Sequence, residues 1–290
     1  MQIPPGLLRK VRRIEIATNR LVDQGVAGSY HSVFKGRGVE FTEVRPYAVG
    51  DDVRLIDWNV TARSGSLFIK QYTEERDLTV FLMVDVSGSL RYGSAAIAKR
   101  ELAAEIAALL AFAAVRNQDR IGLALTDERI RLLLRPARGR RQALRIVREI
   151  LLLPGEGGTN LEKSLLAVVR TLRQRAVLFV VSDFVDSPLS SALKTAAAKH
   201  DVILLEVSDP LDLDPPLDRP VMLRDAETGR LAIFGRRAAR RLARRRHEAR
   251  RDLIELARRA GADHLRLQTD RPYLPELLAF FDRRAKRLNR

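Results

Sequence analysis

The chain has 290 residues, 46% of them apolar, which is enough for one large domain or two modest ones with a sizeable core and excludes global disorder. It has no cysteine and only four scattered histidines (His31, His200, His247 and His264). Disulfides, thiolate metal sites and thiol catalysis are therefore excluded, and an ordinary zinc site is argued against.

In chain order, residues 4–25 predict an amphipathic helix. Leu7, Leu8, Val11, Ile14, Ala17, Leu21 and Val22 recur at helical spacing, and Gly25 and Gly28 are expected to stop it. No uninterrupted apolar run follows the N-terminus, and the longest apolar stretch, 106–115, is short of the roughly 20 residues that span a bilayer. The expectation is a soluble, cytoplasmic protein. Residues 29–78 are polar and glycine-punctuated, with short β-like runs at 40–44 and 67–72. They read as a hairpin extension too thin for its own large core, so the organisation expected is an N-terminal helix and β extension over 1–78 and a main domain over 79–290.

From Thr79 the texture changes. TVFLMVDV is a near-continuous apolar run ending in Asp85, as expected of a strand buried on both faces. A helix is predicted over 95–117, then a strand pair turning at Asp127 and Glu128, helices over 140–153 and 161–173, a second buried strand ending in Asp183, a helix over 188–199 and a third buried strand. Strand and helix alternate with short loops, so the fold class is α/β, a doubly wound and mostly parallel sheet with helices on both faces. Residues 209–260 interrupt the rhythm with a Pro- and Asp-rich loop, a hairpin turning near 227–229, and an Arg-rich helix over 236–260. A last strand and a terminal helix close the chain.

The chemistry sits in Asp85-Val86-Ser87-Gly88-Ser89, at the C-terminal end of the first buried strand, the edge where open α/β sheets bind ligands. One carboxylate and two hydroxyls at i, i+2 and i+4 on a tight loop can turn toward one point, and such oxygens suit a hard cation, Mg²⁺ or Mn²⁺. Standing alone, the pattern is a weak signal that reads more readily as a turn and helix N-cap. Two further residues tip it toward metal. Thr159 lies in a glycine-rich loop ahead of a helix, and Asp183 ends the next buried strand. If those strands are parallel neighbours, all three loops open on one edge.

D-x-S-x-S, a Thr in a GGT loop and an Asp after an apolar strand together resemble the metal-ion-dependent adhesion site of von Willebrand factor A domains, over about 79–207 and on toward 269. The resemblance implies Ser87, Ser89 and Thr159 as inner metal ligands, with Asp85 and Asp183 as the charged set that acts through water. One departure is Phe184 after Asp183, where many members have Gly, and little harm is expected from it. The block over 29–78, with Arg-x-Tyr, Gly-Asp-Asp-x-Arg-x-Ile-Asp-Trp and Thr-Ala-Arg between Arg45 and Arg63, resembles the signature of the bacterial domain of unknown function 58 family. That resemblance implies a role as adaptor or effector of a MoxR-type AAA+ ATPase. Arg45, Asp51, Asp52, Arg54, Asp57 and Arg63 are expected to form an ion-pair network that ties the extension to the main domain. Trp58, the chain's sole tryptophan, is expected as a packing anchor or, if exposed, an interface hot spot. Arg45, Asp51, Asp52, Asp57, Trp58 and Arg63 are the candidate partner-binding residues.

Three functions compete. In the first, a non-enzymatic module captures an Asp or Glu of a protein partner on the bound ion. In the second, a Mg²⁺-dependent phosphoryl-transfer hydrolase uses Asp85. Against it, the acid/base carboxylate two residues on is replaced by Ser87, and GEGGTN lacks the P-loop ending. In the third, the Arg-rich helix binds nucleic acid or another anionic surface, consistent with the net charge of +16. The plain alternative for that helix is a solvated charged face, and it lacks the aromatic platforms that single strands require. The first reading is adopted.

Overall fold

The computed structural model describes residues 5–34, 39–74, 78–153, 155, 157–185, 189–213, 221–224, 231–234 and 235–288. The chain divides into two compact units. Residues 34–78 form one, and the residues up to 33 together with those from 79 onward form the other. The first helical stretch thus belongs with the main unit.

Helix α1 (Pro5–Leu21) runs into a wide π turn, Val22–Val26, where Gly25 takes φ 130°, and continues as α2 (Ala27–Val33). The expected stop at Gly25 and Gly28 is corrected. Gly25 supplies a backbone angle that other residues resist, but buried Val22 and Val26 keep both sides of the turn packed, so the helix resumes and Gly28 lies within α2. Arg140 Nε donates to Glu15 at 2.8 Å and the Tyr30 hydroxyl to Asp119 at 2.9 Å, which fasten these helices to the main unit.

The smaller unit contains strand β1 (Val39–Pro46), helix α3 (Trp58–Ser64) and strand β2 (Phe68–Glu74). The two strands pair antiparallel, with an irregularity between Phe41 and Glu43. The Asp57 side chain accepts from the Asn59 and Val60 N–H groups at the start of α3, and Gly65 ends the helix at φ 70°. Ile56 and Ile69 are buried, but Trp58 is 67% exposed, so it is not the packing anchor expected.

The main unit's sheet begins with β3 (Thr79–Asp85), followed by α4 (Lys99–Arg116), β4 (Arg120–Thr126), β5 (Ile130–Ala137), α5 (Arg140–Leu152) and α6 (Leu161–Thr171). Then come β6 (Val177–Ser182), α7 (Ser190–Lys199), β7 (Asp201–Ser208), the single turn α8 (Pro210–Leu213), β8 (Val221–Arg224) and β9 (Leu231–Phe234). The chain closes with α9 (Arg236–Ala260), β10 (Asp263–Gln268) and α10 (Tyr273–Leu288). Strands β8 and β9 pair as a small antiparallel sheet; the turn expected near 227–229 and most of the Pro- and Asp-rich loop lie outside the described residues.

The main sheet has six strands in the order β10-β7-β6-β3-β4-β5, all parallel except β5, which returns antiparallel beside β4. Every residue of β3 and β6 is buried, as the unbroken apolar runs demand of central parallel strands. Phe81, Met83, Leu178 and Val180 pack against α6, α7 and α9 on one face. The opposite face is covered by α4, buried nearly all round, over which α1 and α5 lie. The chain leaves β3 toward β4 on one side and later places β6 on the other. The C-terminal end of β3 is therefore the switch point of the sheet, the place where open α/β sheets bind ligands.

Candidate functional site

Asp85 is the last residue of β3 and is fully buried. The Ser87 N–H donates to its Oδ1 at 2.8 Å, and the Ser182 hydroxyl, at the end of neighbouring β6, donates to its Oδ2 at 2.7 Å. Ser182 Oγ in turn accepts the Phe184 N–H at 3.0 Å. Both Asp85 oxygens are thus held by protein donors. Burial, and then the charge of Asp183, push its carboxyl up to about 7 despite the hydrogen bonds from Ser182 and Ser87.

Ser87 is also fully buried, and its Oγ lies 3.1 Å from that of Ser89. The two hydroxyls expected to converge do so. The glycine-rich loop reaches the same place: the Gly88 N–H points to the Gly157 carbonyl at 3.5 Å, and Arg91 donates to the Gly155 carbonyl. The approach is so close that a Cβ on Gly155 would overlap the Val86 carbonyl oxygen, which no side chain tolerates. Thr159 follows in this loop, half-buried, just before Asn160, whose side chain accepts from the Lys163 N–H at the start of α6. Pro154 and Glu156 of the loop lie outside the described residues.

Asp183 directly follows β6, the strand beside β3, so its loop opens on the same edge as the Asp85 loop, which the glycine-rich loop also meets. Its carboxylate accepts from the Lys99 ammonium at 2.8 Å, and Lys99 also reaches Asp212 at 3.0 Å. Arg246 then caps Asp212 at 3.0 Å. The Lys99 side chain is 3% exposed. Burial pulls its ammonium down, but Asp183 and Asp212 outweigh burial and hold it above its ordinary value. The sequence reading missed Lys99, Ser182 and Asp212. A lysine opening an otherwise apolar helix and the DPLDLD run were the available signals, but neither announces which carboxylate it meets.

Phe184 takes φ 51°, the left-handed region, at the position where a glycine was noted in many A domains. The cost for an L-residue is roughly 1–2 kcal/mol. The Phe184 side chain is buried in the core cluster with Leu161, Leu189 and Leu253, and that burial offsets the strain.

A hard divalent ion fits these residues. The donors are hydroxyl and carboxylate oxygens, two of the hydroxyls already lie side by side, and Thr126, paired in register with Asp85, has a buried Oγ1 with no hydrogen-bond partner. Among the described residues no cluster of three or more His, Cys, Asp and Glu side chains forms, so such an ion would depend on Ser and Thr oxygens.

The signature residues do not form the single network expected. Arg45 grips Asp51 through both guanidinium nitrogens at 2.7 Å, and Arg54 pairs with Asp52 at 2.9 Å. Asp57 caps α3, with Lys70 at 3.9 Å. Arg63 is exposed. Arg45, then the Ala48 N–H, hold the Asp51 carboxyl down at about 2. These contacts are all local to residues 34–78. They organise the turns of that unit, because charges this close in sequence meet before distant ones can.

A protein-family model described as "Protein of unknown function DUF58" matches residues 43–253. Uncharacterized proteins of Mycobacterium bovis and Mycobacterium tuberculosis are each 34% identical over 95% of this chain and 89% of their own length. Among solved structures, BatB from Bacteroides thetaiotaomicron aligns with a TM-score of 0.51 at 16% identity, covering 72% of this chain and 99% of that one. The VWA domain of SpRpn10 aligns with a TM-score of 0.38 at 13% identity, over 70% and 93%. Among the described residues no helix is long and apolar enough to cross a membrane.

Proposed function

The chain belongs to the DUF58 family, and from that footing we propose that it is a non-enzymatic protein-binding module whose partner contact depends on a divalent ion, Mg²⁺ or Mn²⁺. The fold is α/β of the von Willebrand factor A type, a protein-interaction scaffold. One observation carries the metal reading: the Asp85 loop, the glycine-rich loop and the Asp183 loop meet at the switch point of the sheet, with the Ser87 and Ser89 hydroxyls 3.1 Å apart. Ser87, Ser89 and Thr159 would hold the ion, with Asp85 and Asp183 behind them. When bound, the ion supplies a positive site that accepts a carboxylate oxygen from an Asp or Glu of the partner. The Ser87 N–H and Ser182 hydroxyl orient Asp85, and Lys99 orients Asp183.

The partner class that the family resemblance supplies is a MoxR-type AAA+ ATPase, for which the chain would act as adaptor or effector. The non-enzymatic reading is supported by buried Ser87 standing where a phosphoryl-transfer enzyme would place its acid/base carboxylate. Calorimetric titration with Mg²⁺ is expected to show one site, lost in Asp85→Ala and in Ser87→Ala. Capture of a MoxR-type ATPase is expected to require Mg²⁺ and to fail in EDTA. Capture that is equal in EDTA and in Asp85→Ala sinks the metal reading, and phosphatase turnover that disappears in Asp85→Asn sinks the non-enzymatic one.

A further inference from the structure

We propose that a cleft beside the candidate centre is a second subsite, which takes one aliphatic side chain of an acidic partner segment while a neighbouring Asp or Glu of that segment reaches the ion. The proposal rests on the metal-dependent reading above and adds the side chain that sets specificity.

The cleft has a volume of about 130 Å³ and lies between α9 and the ends of β6 and β7. Asp183 lines it, so the cleft and the candidate centre share a residue. Its size decides what it can hold. Cofactor and small-molecule sites run to roughly 300–1,000 Å³, whereas an apolar cavity near 150 Å³ takes a benzene-sized group. One side chain is therefore the occupant. The walls say which kind, since Phe184, Val185, Leu242 and Leu253 are apolar. Phe184 is held there at φ 51°, a conformation that glycine would adopt freely. Phe184 belongs to the core cluster and also lines this cleft, so the core supplies its apolar wall.

Charge identifies the rest of the segment. Arg245, Arg246 and Arg250 line the cleft from α9. Arg246 pairs with Asp212 and Arg250 with Glu206, but those acids are shared, Asp212 with Lys99 and Glu206 with His264 and Arg266. Arg246 Nε is buried without a hydrogen-bond partner, and Arg245 is exposed. The lining itself balances three arginines against Asp183, Asp212 and Glu206, but Lys99 and Arg266 also pair with those acids, so cations outnumber carboxylates around the cleft and Arg245 is left over at its rim. It complements a segment that carries acidic residues on either side of its aliphatic one, and it opposes a basic segment.

The test uses the full chain and random twelve-residue peptides displayed on phage, selected in Mg²⁺ and eluted with EDTA. The eluted peptides are expected to carry Asp or Glu within two positions of Leu, Ile, Val or Met. Truncating that aliphatic residue to Ala in a synthetic copy should weaken binding roughly 10-fold or more, the usual loss for emptying an apolar pocket. Ala249→Trp, at an exposed helical position lining the cleft, should produce the same loss while calorimetric Mg²⁺ binding is unchanged. Arg245→Glu should weaken binding further. EDTA-eluted peptides with no aliphatic preference and no response to Ala249→Trp overturn the subsite and leave the metal reading standing. So does failure to enrich any peptide while Mg²⁺ binds. Absence of Mg²⁺ binding, or peptides held equally in EDTA, overturns the metal reading itself.

Discussion

Asp85 is the costliest residue in the site. Its carboxyl is fully buried and raised from 3.8 to about 7, an upward shift worth on the order of 4 kcal/mol when it is ionised in the metal-free fold. The sign follows from linkage. Below about pH 4 the group is protonated in both folded and unfolded chains and costs nothing; between about 4 and 7 only the unfolded chain ionises, so stability falls as pH rises; above 7 the loss is complete. Asp85→Asn keeps the acceptor for the Ser87 N–H and removes the charge. In EDTA it is expected to be as stable as the parent near pH 4 and more stable by a few kcal/mol at pH 8, measured by urea unfolding at both pH values. Equal stability at pH 8 would show that the charge is not buried at cost. Lys99 has the opposite role, since it neutralises Asp183 and Asp212 out of water. Lys99→Met leaves both carboxylates short of a cation, although Asp212 keeps Arg246. A loss of about 3 kcal/mol is expected by denaturant titration, the lower end for breaking a buried pair.

At the scale of elements, the regular parts were legible because each carries its own signal. The continuous apolar runs became β3, β6 and β7, the tight turn after Asp127 joined β4 to β5, and the Arg-rich segment formed α9, closed by Gly261 at φ 74°. The miss at Gly25 has the same cause in reverse. A glycine is a local stop signal, and packing on both sides overrode it. Where loop meets loop, Gly155 decides. Its missing Cβ lets the glycine-rich loop, which carries Thr159, touch the Val86 carbonyl. Gly155→Ala is expected to push the loops apart. Mg²⁺ affinity should fall at least 10-fold by calorimetry while the far-ultraviolet circular dichroism is retained. Unchanged affinity would mean that the loop plays no part in holding the ion.

For the whole molecule, the proposed metal-dependent reading couples ion binding to folding, because the candidate ligands come from three segments far apart in sequence. At an ion concentration about 100 times Kd, binding adds about 2.7 kcal/mol. For a chain of this size that is a rise of roughly 4–5 °C in unfolding temperature. Differential scanning calorimetry in Mg²⁺ against EDTA is expected to show that rise for the native chain and none for Asp85→Asn. A common shift in both would mean that the ion acts elsewhere. The alternation of buried strands and amphipathic helices, and the oxygen-rich strand ends at Asp85 and Asp183, were readable in one dimension, because hydrophobic periodicity and residue chemistry are local properties. The placement of β6 beside β3, which makes Asp85 and Asp183 neighbours, is not written in either segment. Nor are the claim of Lys99 on Asp183, the break-up of the expected charge network into local pairs, the 67% exposure of Trp58, or the left-handed Phe184 beside a cleft. Those depend on which long-range contacts win when the whole core packs, and the tertiary structure alone decided them.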